Sequence, residues 1–226
     1  MTLQQIHIPI GDEFVNAIMA KPSSGSGPAV LVIQEWWGLV PHIHDVVERL
    51  ADDGFVAVAV DHYRGQQTTE PDEAGKLMLG LQLEQVAGDL TAAATWLLAQ
   101  PEVSGTGVGV VGFCMGGGLA LLAPTVSPVI RTAVAFYPAT PWPDYAPNWA
   151  AYSGRCAIVH MAAEDEARMG AVINDIAAEI RAAGGQVEVY DYPGTDHAFF
   201  NDDRPEAYNE AAAELAWQRT VDFLRQ

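Results

Sequence analysis

Residues 107–118 read G-V-G-V-V-G-F-C-M-G-G-G, an apolar run that halts at a cysteine with a glycine two positions to either side. A buried strand that turns at once into a helix has this composition. The residue at such a turn is held in a strained backbone conformation, and side chains two positions away would collide. Gly112 and Gly116 remove those side chains and leave the sulfur of Cys114 raised above the strand end. At average glycine usage, two cysteines produce this flanking in only about 1% of chains. The pattern predicts a nucleophile elbow with a thiol where a serine more often stands, and it points to a hydrolase.

Working outward, apolar runs alternate with helical periodicities. Ala29–Gln34 is a buried strand that ends at Glu35-Trp36-Trp37-Gly38. Ile43, Val46, Val47 and Leu50 follow at helical spacing, with Gly54 as the stop. Phe55–Val60 reads as a second strand, Glu84–Gln100 as a helix ended by Pro101, and Val108–Phe113 as the strand entering the elbow. Ala133–Tyr137, Cys156–Met161 and Gln186–Tyr192 are further strands, with a helix over Val172, Ile173, Ile176 and Ile180. A last helix is expected from Pro205, a residue suited to a first helical position, to the C-terminus. Residues 66–80 carry no clean periodicity, and 138–154, with four prolines, read as an irregular aromatic loop. Apolar runs without alternation, separated by helices, imply a mostly parallel twisted sheet covered by helices on both faces. No repeat or linker interrupts it, so residues 1–226 are expected to form a single α/β domain.

Composition agrees. Half of the 226 residues are apolar, enough for one substantial core. The formal charge of −18 argues against nucleic acid and anionic membranes as partners, because both demand basic patches. The same charge requires that any anionic substrate be received by a local arginine. Met1 to Ile10 lacks the basic start and apolar core of a signal peptide, and no apolar stretch is long enough to span a membrane. A cytoplasmic protein is the expectation. Two cysteines, one in the elbow and Cys156 in a strand, are no disulfide framework. A monomer is the working expectation.

In parallel sheets the chemistry gathers beyond the carboxyl ends of the strands. A thiol nucleophile needs a base, and the base an orienting acid. His197, in G-T-D-H-A-F-F, follows the strand Gln186–Tyr192; Asp165, in M-A-A-E-D-E, follows Cys156–Met161. Nucleophile, acid, histidine is the chain order of α/β-hydrolases. Of the other histidines, His160 lies within a strand as a core residue. His42 and His44 open a helix close enough to line the site, with a surface role favoured. Glu164 and Glu166 flank Asp165 and compete with it on sequence alone.

With these residues assembled, the chain resembles the dienelactone hydrolase family. The anchors, in order, are Q-E-W-W-G, D-H-Y, G-F-C-M-G-G, the E-D-E loop and D-H-A-F-F. The resemblance implies an α/β-hydrolase fold and a Cys114–His197–Asp165 triad. It also implies that Glu35 is an extra acid beside the thiol and helps to generate the thiolate. Backbone amides of Met115 and, by resemblance, Trp36 would form the oxyanion hole. The implied reaction is thiolate attack on a lactone or enol ester, giving a thioester that water then cleaves. It needs neither metal nor organic cofactor, and its partner is a small-molecule ester or lactone. Trp37, Tyr137 and Phe199 are the expected substrate contacts.

One departure stands out. Substrate-specific members place an arginine four residues after the catalytic histidine, and here that position is Asn201, with Ala198 where a serine is common. Arg64, directly after the D-H-Y segment, is then the expected contact for a substrate carboxylate. Arg204 is assigned to a salt bridge with Asp202, Asp203 or Glu206. Two other readings stay open: a broader cysteine esterase acting on neutral esters, and a non-hydrolytic protein in which Cys114 is a reactive thiol.

Overall fold

The computed structural model describes residues 3–226; Met1 and Thr2 of the segment considered above as a leader lie outside it. Eight strands form one sheet in the order β1-β2-β4-β3-β5-β6-β7-β8. The six from β3 to β8 are parallel: β3 (Gly27–Ile33), β4 (Val56–Val60), β5 (Val103–Phe113), β6 (Ile130–Phe136), β7 (Cys156–Ala162) and β8 (Gln186–Tyr192). Their sequences are continuous apolar runs because both faces are covered. Leu31 and Ile33 pack on one face with Leu90 and Leu97 of α3 (Leu83–Leu98) and Ile173 and Ile180 of α5 (Glu166–Ala182). Val30 and Val32 pack on the other with Val46 and Leu50 of α1 (Pro41–Asp52) and Ala216 and Val221 of α6 (Glu210–Leu224). This is the mostly parallel, doubly covered sheet expected from the apolar runs, and the arrangement that the family resemblance implies.

Three segments differ from the sequence expectation. Residues 4–20, given no structure above, form an antiparallel hairpin of β1 (Gln4–Ile10) and β2 (Glu13–Ala20). β1 alternates, with Ile8 buried between exposed His7 and Pro9, and β2 begins the same way around Val15 before Ala17–Ala20 are buried throughout, where β2 pairs with β4. Part of 66–80 is α2 (Pro71–Gly80), opened by a proline at its start but burying only Ala74. So narrow an apolar stripe leaves no periodicity to read.

The last helix starts at Glu210, not at Pro205. Arg204 accepts backbone bonds from Ala207 and Tyr208, which closes one turn around Pro205. The chain then re-extends at Asn209, whose side chain caps the true helix by accepting from the Ala212 amide at 3.1 Å. A proline suited to a first helical position served a turn instead.

The register brings the chemistry to one edge. Ile33 pairs with Val60 and Gly112, Phe113 with Phe136, Phe136 with His160 and Ala162 with Tyr192. The residues after these strands therefore emerge along one rim: Glu35, Asp61–Arg64, Cys114, Tyr137, Asp165 and His197. No helix among the described residues is long and apolar enough to cross a membrane.

Candidate active site

The elbow is as tight as its glycines require. Cys114 has φ 55° and is followed at once by α4 (Met115–Val126). A Cβ on Gly112 would stand 1.9 Å from the carbonyl oxygen of Gly116, and one on Gly116 would stand 2.5 Å from those of Ile33 and Gln34. Neither position admits a side chain without moving backbone. The Cys114 amide donates to Phe136 at 3.0 Å, and its carbonyl accepts from Gly117 and Ala139 at 2.9 Å. The turn is thus stitched to its neighbouring strand despite the strained φ.

His197 faces this thiol. Its Nδ1 lies 2.7 Å from Oδ2 of Asp165, which closes a short 3-10 turn (Ala163–Asp165) after β7 and is buried. The His197 amide donates to Glu164 Oε2 at 2.8 Å, fixing the loop. Of the three neighbouring acids, Asp165 is the one turned onto the ring. Burial alone would lower the imidazole pKa, but hydrogen bonds to Asp165 and to the Cys114 sulfur, with the charges of both, outweigh it and raise the pKa to about 10. A pKa this high favours the protonated ring at neutral pH.

A pH consequence follows. A histidine raised from 6.5 to about 10 contributes stability that is complete below pH 6.5 and is lost as pH rises through about 10. Between these values the urea midpoint of the wild type should fall more than that of His197→Gln. Parallel pH profiles would contradict the ion-pair state.

Glu35 is buried and held by two neutral donors. The Tyr137 hydroxyl donates to Oε1 at 3.1 Å, and Asn201 Nδ2 donates to Oε2 at 3.0 Å. Its side-chain bonds among the described residues go to these two and not to the thiol. Tyr137, at φ 35°, sits under the site with its ring edge-on to His197 at 5.1 Å. Burial first, then the charges of Glu35 and Cys114, push its hydroxyl pKa well above the usual value, so it remains a donor. Tyr63, after β4, donates to Met115 Sδ at 3.2 Å and ties the D-H-Y loop to the elbow.

Cys114, Asp165, His197 and Trp36 line one cavity of about 610 Å³. Met78 of α2 and Met169 of α5 supply apolar wall that the sequence did not identify, and Arg168 and Arg204 supply charge. The amides of Trp36 and Met115 donate to no protein acceptor among the described residues, as oxyanion donors must not. Trp37 packs behind Trp36 at 4.7 Å between ring centroids and does not line the cavity. Phe199 is fully buried against Tyr137, a support and not a wall.

Arg64 is not brought to the cavity. Its guanidinium donates to Asp89 of α3 at 2.8 Å and to the Asp61 carbonyl at 3.1 Å, so the charge ties the loop to that helix. Arg204 pairs with Glu206 as expected, Nε to Oε1 at 2.9 Å, yet also lines the cavity. His42 is buried against Phe113 and Phe200 and has no surface role, whereas His44 is half-buried. His160 is the core histidine foreseen: it bonds Tyr192 and Thr220, and burial, aided by Arg219, lowers its pKa to about 3.

Comparison with known proteins agrees with this geometry. The model of the dienelactone hydrolase family matches residues 15–226. Protein usf of Aquifex pyrophilus is 35% identical over 222 residues, covering 94% of this chain and 93% of its own. A protein of Aquifex aeolicus, provisionally named a carboxymethylenebutenolidase, is 33% identical, with 93% of each chain covered. The crystal structure of a provisionally named dienelactone hydrolase from Klebsiella pneumoniae superposes with a TM-score of 0.88 at 28% identity, covering 100% of this chain and 98% of that one. The chain belongs to the dienelactone hydrolase family, and with it to the carboxylic ester hydrolases of the α/β-hydrolase fold.

Proposed function

We propose that the protein opens lactones or enol esters through a Cys114 thiolate, with His197 and Asp165 completing the triad. The observation that carries this reading is the Asp165–His197 pair standing in the same cavity as the elbow thiol of Cys114. The names borne by its relatives support the substrate class.

The thiolate, paired with imidazolium, adds to the ester carbonyl, and the oxyanion is received by the amides of Met115 and Trp36. Each donor lowers the barrier by about 3 kcal/mol when aimed at the tetrahedral oxygen. The C–O bond breaks as the thioester forms. An enolate leaving group departs without full protonation, which suits a thiol nucleophile, and it takes up the proton of His197. Neutral His197 then accepts a proton from water, hydroxide adds to the thioester, and the acid departs with regeneration of the thiolate–imidazolium pair. Asp165 holds the ring orientation throughout. Arg168, which donates to Asp165 Oδ1 at 2.7 Å, keeps that carboxylate in place from the far side.

Glu35 acts here as a fixed acid under the site, its direction set by Tyr137 and Asn201. Glu35→Gln should lower kcat/KM about 100-fold, the low end of a general acid–base contribution. An unchanged kcat/KM would remove Glu35 from the mechanism. The reading as a whole is tested by following ring opening of a dienelactone by absorbance. Turnover supports it, and failure to open any lactone or enol ester would refute it. A second reading, a broader esterase for neutral substrates, is favoured by Asn201 at the arginine position and by the apolar Trp36 and Met78 walls.

A further inference from the structure

A strongly acidic chain needs a dedicated cation to accept an anionic substrate, and the residue expected to do so, Arg64, is bound to Asp89. Two arginines line the cavity among the described residues, Arg168 and Arg204. Arg168 is committed to the triad acid at 2.7 Å. Arg204 uses only Nε, toward Glu206, whose side chain is 65% exposed. Its two terminal nitrogens have no partner among the described residues, which leaves one edge of the guanidinium open for paired bonding to a carboxylate.

The backbone that carries Arg204 is built to hold it there. Its amide donates to the Asn201 carbonyl at 3.1 Å, and its own carbonyl accepts from Ala207 and Tyr208 at 2.9 Å. Asn201 has both ends of its amide engaged: Nδ2 donates to Glu35, and Oδ1 accepts from the Asp203 amide at 3.1 Å. The residue four after the histidine thus anchors the turn and Glu35 together. The charge of Arg204 is felt at the Tyr137 hydroxyl, the group that donates to Glu35 beneath Cys114. Glu164, Asp196 and Glu206 at the rim are exposed and act against an anion, so acceptance of one rests on this single arginine.

We propose that Arg204 is the specificity-determining cation of this site: it receives a carboxylate carried by the lactone or enol ester, in place of both Arg64 and the residue at position 201. The proposal rests on the hydrolase reading for its substrate class, and the test separates the two. The probes are a carboxylate-bearing dienelactone and its methyl ester, which share one ring and one leaving group, compared as a ratio of kcat/KM. Arg204→Met should lower the acid-to-ester ratio about 30-fold, and Arg204→Lys, which keeps charge but loses the fork, should fall between. Glu206→Gln, by removing a negative charge from the rim and weakening the hold on Arg204, should raise the ratio about threefold. A ratio that stays within twofold of wild type in Arg204→Met overturns the proposal.

A second readout needs no turnover. cis,cis-Muconate, an unsaturated dicarboxylate with no ester to cleave, should protect Cys114 from iodoacetamide, and Arg204→Met should raise the protecting concentration about tenfold. Selective protection without lactone opening would sink the hydrolase reading and keep the anion site. Lactone opening with an unmoved ratio would do the reverse.

Discussion

Cys114→Ala is expected to abolish ring opening, with kcat falling by about 10⁴-fold or more, since removal of a triad nucleophile leaves only binding and oxyanion stabilisation. The fold should survive. Cys114 is 8% exposed at the head of α4, and the bonds that hold the turn come from its backbone to Phe136, Gly117 and Ala139. Circular dichroism and the urea midpoint should therefore match wild type while turnover disappears. Retained activity would assign the chemistry to another group. Cys114→Ser is the finer test. A hydroxyl cannot form the stable anion that an imidazolium partner requires, so this variant should also lose most activity.

His197→Ala should cost about 10³- to 10⁴-fold in kcat/KM, because one substitution removes the cation paired with sulfur and the base that activates water. Its signature differs from that of the nucleophile variant. The thiol remains, but without its partner a free cysteine is only a few per cent thiolate near neutral pH. Alkylation of Cys114 by iodoacetamide at pH 7 should slow about tenfold together with turnover. Slow turnover with undiminished alkylation would mean that His197 serves only the second half of the reaction. Full activity would contradict the triad.

The elbow was legible because its demands are local. Gly112 and Gly116 are present since carbonyl oxygens occupy the space of their Cβ atoms, and that constraint acts within five residues of chain. The parallel strands were legible because burial on both faces leaves Val30 through Ile33 without a polar break. The N-terminal hairpin was hidden because β1, at the sheet edge, alternates Ile6, Ile8 and Ile10 with exposed Gln5, His7 and Pro9 and so lacks the continuous apolar run that marks the central strands. Pro205 misled because a first helical position and a tight turn ask the same φ of proline.

The site divides along the same line. Cys114, Asp165 and His197 each follow a readable strand, so topology alone places them on one rim. The contacts that set Glu35 and the cations are tertiary. Asn201 reaches Glu35 across 166 positions of sequence, and Asp89 captures Arg64 from a helix that the loop motif does not include. No spacing rule carries such information. Arg204 and Arg168 differ only in what their guanidinium groups touch, and that is visible in three dimensions alone.

The most direct test of the thiol mechanism is acid quenching within the first turnovers, followed by mass spectrometry of the peptide that contains Cys114. The account predicts a transient acyl adduct on Cys114 that is released by hydroxylamine and is missing in Cys114→Ala. Continued turnover with an unmodified Cys114 at every quench time, or an adduct on a different residue, would contradict it.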